Sequence, residues 1–124
     1  VTEGLRRVLG DRVVGICDTP IGLVRRAALA VTGTPSVDSF DYVGLNHLGW
    51  LRSLEVDGRD RLPELLADSG RLLGIEEARL MGLDWVRALG ALPNEYLYYY
   101  YYGREAVHRI RSSETTRGEF LLRQ

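Results

Sequence analysis

One thiol and one imidazole are the residues of this sequence with the most specific chemistry. Cys17 is the only cysteine, and it ends an apolar run directly before a helix-starting Asp-Thr-Pro. His47 follows a second apolar run, in DYVGLNHLGW. An isolated cysteine is more often a small buried residue, but a thiolate together with an imidazole suits a borderline divalent metal. Two protein ligands would leave most coordination positions open for substrate and water, as in a catalytic site.

Tyrosine is the second residue type that could do chemistry here. Residues 98–102 are all tyrosine, and because successive helical positions are about 100° apart, such a run points all round a helix. Some of these side chains could be core and others could line a cavity. A tyrosine can act as a base where a cation lowers the pKa of its phenol, although amphipathic core packing is the commoner role. His108, in an arginine-rich helical stretch, is expected at the surface.

The elements around the thiol predict how these groups are positioned. Residues 12–17 are rich in β-branched side chains and predict a buried strand. Asp18 or Thr19 can N-cap the helix that follows, and Gly33 can end it. This order is the βα unit of an α/β fold. A strand-helix-strand crossover would bring the thiol and the imidazole to the same sheet edge, where open α/β sheets bind ligands.

The rest of the chain predicts short strands and mostly helices. The first residues have helical spacing that stops at Gly10. SFDYVGL and WLRSLEVDG are strand candidates, and Asp57-Gly58 is a turn signal. From Pro63 two helical patterns follow, PELLADSGRLL and then IEEARLMGLDWVRALGAL, until Pro93 breaks the second. A further helix is predicted after Asn94, a possible cap. The predicted fold class is therefore α/β.

Composition excludes several classes of partner. The chain has 124 residues, enough for one small domain, and a net charge of -1 that offers no basic surface for nucleic acid. No apolar run approaches the roughly 20 residues of a membrane span. A single cysteine favours a reducing, cytoplasmic setting. Both ends look cut, so the chain is expected to be a piece of a longer protein.

Four motifs together resemble a known family. GICDTPIG, DYVGLNHLGW, LGALPNEYLYYY and TTRGE occur in this order, as in the NAD- and metal-dependent glycosidases of glycoside hydrolase family 4, most closely the 6-phospho-β-glucosidases. The resemblance implies that residues 1–124 are a fragment of the C-terminal catalytic domain, Rossmann-like plus helical and related to that of lactate/malate dehydrogenases. The N-terminal NAD-binding domain is not present, because no Gly-x-Gly-x-x-Gly occurs. A homo-oligomer, dimer or tetramer, is expected for the full length.

The resemblance also implies a metal site and a general acid. Cys17 and His47 would hold Mn²⁺ or another divalent metal, with substrate hydroxyls and water completing the coordination. Asp18 would be the general acid, as in the α-glucosidase branch. The β-glucosidase branch usually has Asn there, so Asp18 leaves the anomeric preference open.

The remaining roles implied by the resemblance concern the sugar. Tyr96 would be the general base, with Tyr98 and Asp84 as alternatives. Asn46 would contact a substrate hydroxyl. Arg117 is a candidate for binding the 6-phosphate, since arginine is the better bidentate partner of phosphate.

The implied reaction is hydrolysis of 6-phospho-β-glucosides, phosphorylated disaccharides or aryl glucosides, by a redox route. NAD oxidises C3, the tyrosine removes the C2 proton, the C1 group is eliminated, water adds and the hydride returns. Family members of this kind are exceptions to the two-carboxylate mechanism. Alternatives are an α-linked or unphosphorylated substrate, a metal-free dehydrogenase relative, or a non-catalytic helical interaction domain.

Overall fold

Short helices around a small antiparallel sheet make up the described part of the protein. The computed structural model describes residues 2–13 and 18–112. The helices there are α1 (Thr2–Leu9), α2 (Thr19–Thr32), α3 (Leu62–Ala67), α4 (Ser69–Leu73), α5 (Glu76–Met81), α6 (Leu83–Leu89), α7 (Tyr96–Tyr101) and α8 (Gly103–Ser112), with a 3₁₀ turn at Gly10–Arg12. The strands there are β1 (Ser39–Leu45), β2 (Leu48–Val56), β3 (Arg59–Asp60) and β4 (Leu92–Pro93). No helix of this part is long and apolar enough to cross a membrane.

Strand β2 is the centre of the sheet. It pairs with β1 on one edge and with β3 and β4 on the other, always antiparallel. Both strands expected from the apolar patterns are present, and the turn predicted at Asp57-Gly58 joins β2 to β3. The φ angles of those two residues are 53° and 68°, a left-handed conformation that Asp and Gly tolerate.

A β-bulge divides β2 into two halves. The pairing passes from Asp41 opposite Ser53 to Tyr42 opposite Leu51, so Arg52 is an extra residue on β2. Side chains alternate between the two faces of a strand, and one inserted residue reverses the alternation. Before the bulge, the buried residues of β2 are the odd-numbered Gly49 and Leu51. After the bulge, they are the even-numbered Leu54 and Val56.

Helix α2 confirms the predicted helix after the thiol. Asp18 occupies its N-cap position, Pro20 lies in its first turn, and Gly33 ends it with φ 79°. The buried face of α2 consists of Leu23, Val24, Ala27, Ala28 and Val31, which pack in one core with the buried leucines of β2. Their spacing gives a helix with one apolar stripe.

The two described residues of the strand predicted for residues 12–17 are not part of a strand. Arg12 belongs to the 3₁₀ turn, and Val13 alone is extended, with φ -110° and ψ 120°. Residues 14–17 lie outside the described residues, so the strand-helix-strand crossover stays a prediction. What the described residues do show is that β1, which carries the chain towards His47, runs antiparallel to β2.

Four short helices replace the two long ones that the sequence pattern suggested between Pro63 and Pro93. Asp68 divides the first, because its Oδ1 accepts a hydrogen bond from the Arg71 N–H at 3.0 Å and caps α4. Gly82, with φ 92°, separates α5 from α6. The predicted helix after Asn94 is likewise divided, at Tyr102, into α7 and α8.

One buried ion pair ties α2 to α5. Glu77 of α5 is only 1% exposed, and its Oε1 accepts a hydrogen bond from the guanidinium of Arg26, whose side chain is 45% exposed. Its other oxygen, Oε2, has no hydrogen-bond partner among the described residues. The buried carboxylate is thus compensated by one partner that itself remains partly in water.

Candidate functional site

His47 lies at the tip of a β-hairpin. Leu45 and Leu48 are paired, and Asn46 and His47 form the two-residue turn between them. Asn46 has φ 50°, a left-handed conformation that asparagine adopts more readily than most residues. The imidazole is half-buried, while Asn46 is exposed. The turn therefore presents His47 at one end of the sheet.

The ring of Tyr96 packs directly against His47. The two ring centroids are 4.4 Å apart and the ring planes are inclined at 55°. Tyr96 is the first residue of α7 and is half-buried. The structure therefore brings together the predicted metal-ligating imidazole and the predicted general base, from segments about 50 residues apart in sequence.

Asn94 sets where α7 begins. Its Oδ1 accepts a hydrogen bond from the Tyr96 N–H at 3.2 Å. The N-cap position itself is Glu95, one residue after the cap expected at Asn94. Its own backbone N–H donates to the carbonyl oxygen of Gly49 at 2.9 Å. Gly49 is two residues beyond His47, so Asn94 connects the start of α7 to the base of the hairpin.

Tyr42 packs beneath the hairpin turn. Its phenol donates a hydrogen bond to the carbonyl oxygen of Asn46 at 2.6 Å. Its ring covers Gly49 so closely that a Cβ there would meet the ring and its hydroxyl at 2.5 to 2.7 Å. Burial raises the pKa of the Tyr42 phenol, and the side-chain amide of Asn94, within reach of the phenol oxygen, partly opposes that rise. Tyr42 therefore stays a neutral hydrogen-bond donor.

The other predicted site residues are not part of this contact. Asp18 is exposed at the N-cap of α2, where its side chain makes no capping hydrogen bond. Of the alternative bases, Asp84 is exposed in the first turn of α6, and Tyr98 is buried in the core and stacked on Tyr102 at 5.7 Å. His108 is exposed, as expected. Among the predicted bases, Tyr96 is therefore the one that the described structure places against His47.

Two predicted site residues, Cys17 and Arg117, lie outside the described residues. Within residues 2–13 and 18–112, no group of three or more His, Cys, Asp and Glu side chains could hold a metal ion. The described part therefore offers the imidazole of His47 as a single donor. A single imidazole fits the predicted site with few protein ligands, because an imidazole is a common ligand of divalent transition metals. The prediction that Cys17, substrate and water supply the other ligands stays a prediction.

An aromatic groove lies on the outer face of the sheet. Its volume is about 360 Å³. Trp50 and Trp85 have centroids 5.5 Å apart, and Trp85 meets Tyr101 edge-on at 5.6 Å. Arg52, at its rim, pairs with Asp41 at 2.9 Å. This groove, like the role of Tyr42, was not expected from the sequence.

The structural role of Tyr42 was not predicted because the sequence patterns were not interpreted as a hairpin. Two apolar runs separated by two residues, the first an asparagine, are a hairpin signal. That signal is present at Asn46-His47, and it would have placed Tyr42 opposite Leu51, under the turn. For the groove no local signal was available, because its aromatic residues come from β2, α6 and α7.

Comparison with known proteins gives concordant matches. Residues 42–124 match the family 4 glycosyl hydrolase C-terminal domain. The chain is 32% identical to 6-phospho-alpha-glucosidase 1 of Lacticaseibacillus paracasei, over 96% of this chain and 30% of that protein. It is also 32% identical to 6-phospho-beta-glucosidase of Escherichia coli, over 86% of this chain and 26% of that protein. The chain thus spans less than a third of the length of either relative.

Solved structures show the same fold. A 6-phospho-alpha-glucosidase from gut microorganisms, in complex with NAD and Mn²⁺, is 29% identical and superposes with a TM-score of 0.52 over 81% of this chain and 27% of its own. A 6-phospho-beta glucosidase from Thermotoga maritima, with manganese, NAD⁺ and glucose-6-phosphate, is 22% identical, with a TM-score of 0.67 over 98% of this chain and 28% of its own. These likenesses confirm the predicted mixed α/β fold with short strands and mostly helices.

Proposed function

Because the chain belongs to family 4 of the glycosyl hydrolases, we propose that the protein it represents hydrolyses 6-phosphoglucosides with NAD and a divalent metal, preferably Mn²⁺. The contact between His47 and Tyr96 is the observation that carries this proposal, because it joins a metal-ligating group to a candidate base. The relatives named above are 6-phosphoglucosidases, and one solved relative contains NAD and Mn²⁺. The NAD-binding domain is proposed to lie in sequence outside residues 1–124.

The proposal gives each site residue one task. His47 and Cys17 would hold the divalent ion. When bound, that ion would supply Lewis acidity toward sugar oxygens, and NAD would supply reversible hydride transfer. Tyr96 accepts the proton from sugar carbon C2, while Asn46 hydrogen-bonds a sugar hydroxyl. Asn46 is exposed at the tip of the hairpin, where a sugar could reach it.

The leaving group and the phosphate involve two further residues. Asp18 donates a proton to the oxygen that leaves C1, and Arg117 binds the 6-phosphate as a bidentate partner. The substrate is a phosphorylated disaccharide or an aryl 6-phosphoglucoside. We also propose that the protein is cytoplasmic and does not bind nucleic acid, on the grounds of the single cysteine and the net charge of -1. The proposal of a homo-oligomer rests on the family resemblance, and that of no membrane binding on the lack of a long apolar run.

The linkage that is cleaved is proposed to be β, on the resemblance of the motifs to the 6-phospho-β-glucosidases. An α linkage is the second candidate, and Asp18 favours it. The Asp18 side chain makes no capping hydrogen bond and is exposed, so a substrate could reach its carboxyl group. Relatives named for either linkage are equally similar, at 32% identity.

The test uses nitrophenyl 6-phosphoglucosides of both anomers with the whole protein. We expect turnover that requires both NAD and Mn²⁺, faster with the β anomer. Replacement of the base, Tyr96→Phe, is expected to lower kcat by about 10²- to 10⁴-fold. The matched control is Tyr100→Phe, an exposed tyrosine of the same helix that should leave kcat unchanged.

Three results would contradict parts of this proposal. Turnover without NAD or metal would remove the redox mechanism. Full activity of Tyr96→Phe would remove Tyr96 as the base. Faster turnover of the α anomer would assign the enzyme to α-linked substrates while leaving the mechanism in place.

A further inference from the structure

We propose that Tyr42 is a positioning residue, supported by Asn94, that holds the His47 turn in place against Tyr96. This inference rests on the proposed function for its catalytic meaning. It concerns two residues outside the proposed set of catalytic and ligand-binding groups. Three features of the structure support it.

The first feature is the hydrogen bond from Tyr42 to the turn itself. The phenol donates to the carbonyl oxygen of Asn46 at 2.6 Å. That carbonyl belongs to the peptide unit that joins Asn46 to His47, so the bond fixes the orientation of the backbone from which the imidazole projects. Asn46 is in the left-handed region, at φ 50°, and the hydrogen bond from Tyr42 adds a contact that holds the turn in this conformation.

The second feature is a continuous path from Tyr42 to Tyr96. The Tyr42 ring rests on Gly49, whose carbonyl oxygen accepts from the Asn94 N–H at 2.9 Å. The Asn94 side chain in turn accepts from the Tyr96 N–H at 3.2 Å. The turn and the start of α7 are therefore both held to the sheet through Gly49, near the hairpin where the His47 and Tyr96 rings lie 4.4 Å apart.

The third feature is the protonation state that this arrangement requires. A neutral tyrosine can donate one hydrogen bond and accept others. Burial raises the pKa of Tyr42, which keeps the donor proton on the phenol oxygen. Asn94 is fully buried, and its Nδ2 has no well-formed hydrogen bond among the described residues. This Nδ2 lies within reach of the Tyr42 phenol oxygen. A buried amide left otherwise unpaired is costly, and a role as donor to Tyr42 would explain its presence.

The experiment reads the position of the imidazole without relying on activity. Residues 1–124 contain two histidines. In histidine-labelled whole protein, the resonances of His47 and His108 are assigned by their loss in His47→Gln and in His108→Gln, and exposed His108 is the internal reference. The packed ring of Tyr96 shifts the His47 ring protons. In Tyr42→Phe, which keeps the aromatic ring but loses the hydroxyl, we expect the His47 resonances to move toward random-coil values while those of His108 stay unchanged.

Controls separate positioning from a general loss of structure. Tyr102→Phe removes the hydroxyl of another half-buried tyrosine and should move neither histidine. Asn94→Ser keeps a side-chain oxygen near the Tyr96 N–H and removes the Nδ2 donor without burying a charge, and it should move the His47 resonances in the same direction as Tyr42→Phe. If Tyr42→Phe failed to fold, Asn94→Ser would decide the matter alone.

Activity gives a second, separate readout. We expect Tyr42→Phe to lower kcat for a 6-phosphoglucoside by about 10- to 100-fold, as for other residues that orient a ligand, with KM little changed. Unmoved His47 resonances in a folded Tyr42→Phe or Asn94→Ser variant would overturn the positioning role. If the resonances moved as expected but the unsubstituted protein did not turn over 6-phosphoglucosides, the positioning role would stand and the proposed function would fall.

Discussion

The two partners of the Arg26–Glu77 pair are expected to differ in how much their loss destabilises the protein. Glu77 is 1% exposed, whereas Arg26 is 45% exposed. Arg26→Ala would leave a buried carboxylate without a partner. The expected loss in the free energy of unfolding is about 3 kcal/mol, at the lower end of the range for a broken buried ion pair, because Arg26 is partly solvated. Glu77→Gln removes the charge instead and leaves Arg26 free to hydrate, with an expected loss of about 1 kcal/mol.

The assay is urea unfolding followed by the fluorescence of the two tryptophans. Arg25→Ala, an exposed arginine one position earlier on α2, is the matched control and should stay within about 0.5 kcal/mol of the unsubstituted protein. The double variant Arg26→Ala/Glu77→Gln should be more stable than Arg26→Ala alone, since no buried charge remains. An equal or larger loss for Glu77→Gln than for Arg26→Ala would refute the reasoning that burial of the carboxylate sets the energy.

Three further predictions concern the sheet. Gly49→Ala should lower the free energy of unfolding by about 1 to 3 kcal/mol, because the new methyl group would overlap the Tyr42 ring. Urea unfolding measures this loss, and an unchanged free energy of unfolding would mean that the ring moves freely. Leu51→Ala, at a fully buried position, should cost about 2 to 5 kcal/mol in the same assay, and a loss below 1 kcal/mol would contradict its place in the core. The raised pKa of Tyr42 means that its folded form retains the proton longer than the unfolded chain, so its stabilising contribution should persist below about pH 10 and decline as pH rises further. That decline should be absent from Tyr42→Phe, and equal slopes in the two proteins above pH 10 would argue against it.

Local patterns were sufficient where one segment determines its own structure. Helix α2 follows from its apolar stripe, from Pro20 in its first turn and from Gly33 at its end. Strands β1 and β2 follow from their apolar runs. The patterns did not show that α3 is divided from α4, or α5 from α6. An aspartate or a glycine inside a helical pattern only sometimes ends a helix, depending on what the neighbouring turns pack against.

The site was predictable in part for a similar reason. His47 and Tyr96 were expected from their motifs, and the described structure places them in contact. The role of Tyr42 depends on a hairpin and on a contact with Asn94, a residue far along the chain. Contacts of that kind are properties of the tertiary structure and leave no periodic trace in a single sequence. The roles of Cys17 and Arg117 stay predictions.

The extra residue in β2 makes the length of this strand matter more than its composition. Deleting one residue between the bulge and the tip, such as Trp50, would shift the alternation by one position and turn Gly49 and the hairpin end to the opposite face of the sheet. That change would carry the imidazole away from the phenol that now touches it. Homologous proteins should therefore tolerate many substitutions along this hairpin but very few changes in the number of residues between its bulge and its tip.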